Sequence, residues 1–70
     1  MIQDVKIGRK TYQGVAFICT PGYARTLNTV LESRGFHPVL YGYTGSEKLD
    51  VLVPESEWAD AADVVESHNG

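Results

Sequence analysis

A cysteine, a glycine, an arginine and a threonine follow one another within residues 19–26, in the pattern C-x-x-G-x-x-R-[ST]. An alternating apolar stretch, which predicts a β-strand, precedes the segment, and a stretch of helical periodicity follows it. The free amides at a helix N-terminus bind anions and lower the pKa of a nearby thiol. An arginine can bind two phosphate oxygens at once. The types and spacing of Cys19, Gly22, Arg25 and Thr26 therefore point to phosphate chemistry.

The same eight residues resemble the phosphate-binding loop of cysteine-dependent phosphatases. The resemblance implies that Cys19 attacks phosphorus, that Arg25 clamps the phosphate oxygens and that Thr26 supports the thiolate. Other features oppose this interpretation, because Pro21 removes one cradling amide and no histidine precedes the cysteine. No separate loop offers an aspartate that would protonate the leaving group. A phosphatase-like or phosphate-binding protein is therefore the alternative function.

A structural interpretation accounts for the same residues without catalysis. Cys19 ends an apolar strand, Thr20 is a suitable helix N-cap and Pro21 suits the first helical position. Arg25 lies opposite the apolar stripe of the following helix, which predicts that it faces solvent. On this interpretation the chain has no catalytic residues and is not an enzyme.

Two periodicities predict the elements that would position these residues. Period-two alternation predicts strands over residues 3–7, 14–20, 37–43 and 48–53. In the second strand, Val15, Phe17 and Cys19 are expected on one side and Ala16 and Ile18 on the other. Helical periodicity predicts helices over residues 22–34 and 55–67, with Gly35 ending the first.

The predicted order is β-β-α-β-β-α over a single domain of residues 1–70. Its strand–helix–hairpin–helix part resembles half of a ferredoxin-like fold. A right-handed crossover places strand 48–53 between the second and third strands, and the first strand pairs with the free edge of the second. We therefore expect an α+β, ferredoxin-like domain with a four-stranded antiparallel sheet and both helices on one face.

Two further segments carry a family resemblance. Residues 31–39 (LESRGFHPV) and residues 51–55 (VLVPE), followed by Ala61-Ala62 and Val64-Val65, are similar to small signal-transducing proteins of prokaryotes of the ferredoxin-like or PII-like type. The N-terminal strand departs from that family. The resemblance implies a regulatory or interaction module and no catalytic residues.

The strands carry apolar residues at both parities, whereas each helix has one apolar stripe. One sheet face should therefore lack a helical cover and bind a partner. The residues expected to bind it are Ile18, Leu40, Tyr41, Tyr43 and Leu52, with Leu40 and the two tyrosines as alternatives for the third strand. The expected partner is another protein or a second copy of the chain in a homodimer.

Composition sets further limits on function. The 70 residues carry a net charge of −3, with the acidic excess in the second half, which argues against a nucleic-acid partner. No apolar run approaches the ~20 residues that cross a membrane, and residues 1–4 do not resemble a signal peptide. With one cysteine and two isolated histidines, the sequence predicts no disulfide, metal site or cofactor. We therefore expect a cytoplasmic protein.

Overall fold

The structure is a computed structural model that describes residues 4–42 and 45–69. A short 3₁₀ turn, Glu55–Glu57, precedes the second helix. The regular elements are β1 (Asp4–Ile7), β2 (Lys10–Cys19), α1 (Pro21–Ser33), β3 (Val39–Gly42), β4 (Leu49–Pro54) and α2 (Trp58–Asn69).

The four strands form one antiparallel sheet in the order β1-β2-β4-β3. The predicted α+β class, the antiparallel four-stranded sheet and the two helices are confirmed. The ferredoxin-like assignment is not matched, because that fold runs β-α-β-β-α-β. Here the chain begins with a hairpin, and α1 connects β2 to β3.

Local chemistry fixes the ends of α1 where the sequence predicts them. The Thr20 hydroxyl accepts a hydrogen bond from the Tyr23 amide at 3.4 Å, and Pro21 occupies the first turn. Gly35 has φ +89°, a conformation that a residue with a side chain rarely adopts. Among the described residues, no helix is long and apolar enough to cross a membrane.

Both helices pack on the face of the sheet that carries Val51 and Val53. Their apolar stripes meet these strand residues in one cluster, which excludes water from the centre of the domain. Its buried members are Cys19, Ala24, Leu27, Leu31, Val51, Val53, Ala61 and Val65.

The second half of β2 departs from regular pairing. Its register against β4 shifts between Gly14 and Ala16 and again between Ala16 and Cys19. Such irregularities place extra residues opposite one partner and break the alternation of side chains. The expected alternation is therefore wrong here, since the neighbours Val15 and Ala16 both pack against the core cluster. We call residues 16–19 the β2 bulge.

Candidate functional site

Ile18, at the centre of the β2 bulge, has an unusual backbone and an unusual environment. Its φ is +54°, and it is the one residue other than glycine with positive φ in the described part of the chain. A left-handed conformation costs an L-residue roughly 1–2 kcal/mol, and β-branched residues tolerate it least. The side chain is also 72% exposed, so burial of Ile18 does not offset this cost.

Asp50 on β4 holds this backbone in place. Its carboxylate accepts a hydrogen bond from the Ile18 amide at 2.9 Å, and the residue is only 3% exposed. A buried carboxylate is costly unless hydrogen-bond donors satisfy it. The same bond therefore stabilises Asp50 and fixes the bulge that exposes Ile18.

Phe17 covers part of the sheet face that lacks helices. A Cβ built on Gly14 would lie 2.3 Å from the Phe17 ring, so the ring occupies the space that a side chain at residue 14 would fill. Gly14 pairs directly with Leu52, and cross-strand neighbours lie about 5 Å apart. The ring therefore lies beside Leu52 on this face, with Phe17 still 48% exposed.

The structure separates the residues that were predicted to bind a partner. Leu52 lies on the helix-free face but is 2% exposed, so the expectation that it forms open surface is wrong. Leu40 lies on the other face, where it packs against the core cluster. Tyr41 is partly buried on the helix-free face, opposite Asp50, and Ile18 is exposed. Tyr43 lies outside the described residues.

Sequence reasoning missed the roles of Phe17 and Asp50. Phe17 was assigned to the core side of a regular strand, whereas the bulge turns it onto the helix-free face. The available signal was Asp50 itself, a carboxylate within the apolar strand Leu49–Pro54. An acid at such a position requires a hydrogen-bond donor, but the sequence does not name the donor.

The predicted phosphate-binding residues do not form one exposed site. Cys19 is 7% exposed and its thiol donates weakly to the Phe17 carbonyl, 3.7 Å away. Gly22, Arg25 and Thr26 are exposed on α1, and the Thr26 hydroxyl donates to the Gly22 carbonyl within the helix. A phosphate group bound by Arg25 would lie in solvent, whereas the thiol of Cys19 is buried.

The electrostatic environment of Cys19 also opposes a reactive thiolate. Burial raises the pKa of the Cys19 thiol, and the negative charge of Asp50 raises it further. Cysteine nucleophiles have a lowered pKa, which arises near cations or helix N-termini. At Cys19 burial and the charge of Asp50 both act in the opposite direction.

Comparisons with known proteins do not place this arrangement in a family. No family model matches the chain, and no curated protein or solved structure matches it. The resemblances noted in the sequence therefore remain predictions.

We expect Ile18→Gly to raise the free energy of unfolding relative to Ile18→Ala, by about 1 kcal/mol, because glycine adopts positive φ without strain. Both substitutions remove the same exposed side chain, so their difference isolates the backbone. Urea denaturation of the two variants measures it. Equal stabilities would show that residue 18 is not strained.

We expect slow alkylation of Cys19 by iodoacetamide at about pH 7, because a raised pKa keeps the thiol protonated. Asp50→Asn removes a negative charge, lowers the pKa of Cys19 and moves the pH–rate profile of alkylation to lower pH. Thr26→Ser, which keeps a hydroxyl on the exposed side of α1, is the control. Rapid alkylation of the wild-type protein near pH 6 would contradict this account.

Proposed function

We propose that this chain is a small, non-catalytic interaction module that inserts Phe17 and Ile18 into an apolar pocket of a partner protein. The observation that carries the proposal is the exposed, strained Ile18, held by the buried carboxylate of Asp50. Two large apolar side chains stand next to each other on one bulge, where water surrounds much of both.

The strain supports a functional role because the bulge requires the backbone conformation at residue 18 but not an isoleucine side chain. Glycine or asparagine at residue 18 would adopt the same backbone at lower cost. An exposed isoleucine gains little from burial, so its presence destabilises the isolated domain. Strained residues that persist in this way concentrate at binding and catalytic sites.

The size of the exposed surface favours a concave partner over flat self-association. Two partly exposed side chains offer on the order of 200 Å². A stable two-sided interface buries about 800 Å² on each partner. A homodimer in which these two residues meet across a two-fold axis would need much additional surface. A pocket that encloses both side chains removes more of their apolar surface from water, as pockets do around the anchor residues of known interfaces.

Two further expectations belong to this proposal. A regulatory role agrees with the resemblance to small signal-transducing proteins of prokaryotes, and a cytoplasmic location agrees with the composition. The catalytic alternative has less support, since Cys19 is buried and its pKa is raised. Under the proposal, Cys19 contributes to the packing of the hydrophobic core and has no chemical role.

Ile18→Asn tests the proposal without adding strain, because asparagine tolerates positive φ. We expect the variant to stay folded and to lose partner binding by at least about tenfold, as the loss of a hot-spot residue does. Affinity capture from the native host, quantified by mass spectrometry, identifies partners of the wild-type chain. Titration of a purified partner then measures binding.

The matched control is Ile7→Asn, which changes a second exposed isoleucine at the other end of the sheet. It should leave partner binding unchanged. Equal retention of every partner by both variants would refute the proposed surface. If light scattering detects a dimer of the wild-type chain and only Ile18→Asn disrupts it, the partner is a second copy of the chain. Turnover of para-nitrophenyl phosphate that Cys19→Ser abolishes would favour the catalytic alternative.

A further inference from the structure

A cleft of about 370 Å³ lies at the end of β2 opposite to the bulge. Its volume falls within the range of small-molecule sites. The β1–β2 turn, the approach to β3 and the 3₁₀ turn before α2 form its walls, and most of its side chains are charged or carry a hydroxyl group. The lining residues are Arg9, Lys10, Thr11, His37, Pro54, Glu55, Ser56 and Glu57.

Two hydrogen bonds hold His37 in the cleft. Its backbone amide donates to one carboxylate oxygen of Glu57 at 2.9 Å, and its ring Nδ1 lies 2.7 Å from the other. Burial by itself would raise the pKa of Glu57, but the hydrogen bonds from His37 and the charges of His37 and Lys10 lower it. Glu57 is therefore ionised at neutral pH and accepts a hydrogen bond from the Nδ1–H group of His37.

This pairing leaves the far side of the His37 ring available. The two ring nitrogens point in different directions, so Nε2 is directed away from Glu57. The side chain of His37 is 75% exposed, against 22% for Glu57. Nε2 of His37 is thus placed to form a hydrogen bond with a ligand in the cleft.

Arg9 and Lys10 add two cations to the same cleft. Among the described residues, neither cation forms an ion pair within 4 Å, although the charge of Lys10 acts on Glu57 at longer range. Glu55 and Glu57 are the opposing charges in the lining, and Glu57 is already paired with His37. The described residues contain no cluster of three or more side chains that could hold a metal ion.

We propose that this cleft binds the phosphate group of a small phosphorylated molecule. Arg9 and Lys10 donate to the phosphate oxygens, the hydroxyls of Thr11 and Ser56 add neutral donors, and Nε2 of His37 forms a further hydrogen bond with the phosphate group. A phosphate monoester has three terminal oxygens and up to two negative charges. It can therefore accept hydrogen bonds from more of these donors than a carboxylate, which has two oxygens and one charge. Glu57 is a positioning residue, since it acts by holding His37.

Two-dimensional ¹H–¹⁵N NMR with inorganic phosphate as the probe tests the proposal. We expect saturable shifts at Lys10, His37 and Ser56. Lys10→Gln should weaken binding about tenfold, because it removes a charged donor. Glu55→Gln should strengthen binding about threefold, because it removes a screened opposing charge. Weaker binding by Lys10→Gln could arise from misfolding, but tighter binding by Glu55→Gln could not. The gain in affinity therefore distinguishes a charge effect from a loss of structure.

Lys48→Gln is the matched control, since Lys48 is exposed and lies outside the cleft. It should leave phosphate binding unchanged. Acetate at equal ionic strength should produce no saturation, and dimethyl phosphate, which mimics a nucleic-acid or lipid phosphodiester, should bind more weakly than phenyl phosphate. Unsaturable phosphate shifts, equal weakening by Lys48→Gln, or acetate binding as tight as phosphate binding would overturn the proposal.

Discussion

The carboxylate of Asp50 is almost completely removed from water, although it lies on the sheet face that no helix covers. The amide of Ile18, a residue 32 positions away in the chain, donates a hydrogen bond to it. Buried charges require such donors, because desolvation without them costs more than a small domain can spare. This contact holds the backbone of the β2 bulge and the surface that the bulge presents.

The consequences of the contact extend along β2 in both directions. On one side, Cys19 turns inward to join the core, where burial and then the negative charge of Asp50 raise the pKa of its thiol. On the other side, Phe17 turns outward and its ring fills the space above Gly14. The bulge therefore covers Leu52 while it leaves Phe17 and Ile18 accessible. A regular strand could not do both, because its side chains alternate strictly.

The sequence predicted those parts of the fold that local patterns determine. Alternation and helical periodicity identified the strands and helices, and Gly35 marked the end of α1. The bulge could not be predicted, because residues 15–19 read as an uninterrupted strand. Its cause is the contact between Ile18 and Asp50, and single-sequence patterns carry no information about such distant pairs.

The same limit applies to the cleft at the other end of β2. His37 was judged too isolated for a metal site, and its partner Glu57 lies 20 residues further along the chain. Glu57 falls within the helix that the sequence predicts over residues 55–67, whereas it lies in the 3₁₀ turn before α2 and holds the imidazole. Both candidate surfaces thus arise from pairs of residues that only the tertiary fold brings together.

Amide hydrogen exchange of Ile18 tests the central claim most directly, because the hydrogen bond to Asp50 should protect an amide whose side chain is exposed. In the wild-type domain, the Ile18 amide should exchange at least about a hundredfold more slowly than in an unstructured peptide. In Asp50→Ala that protection should disappear, while the amides of Val51 and Val53 in a folded variant remain protected. Free exchange of the Ile18 amide in the wild-type protein would contradict the account.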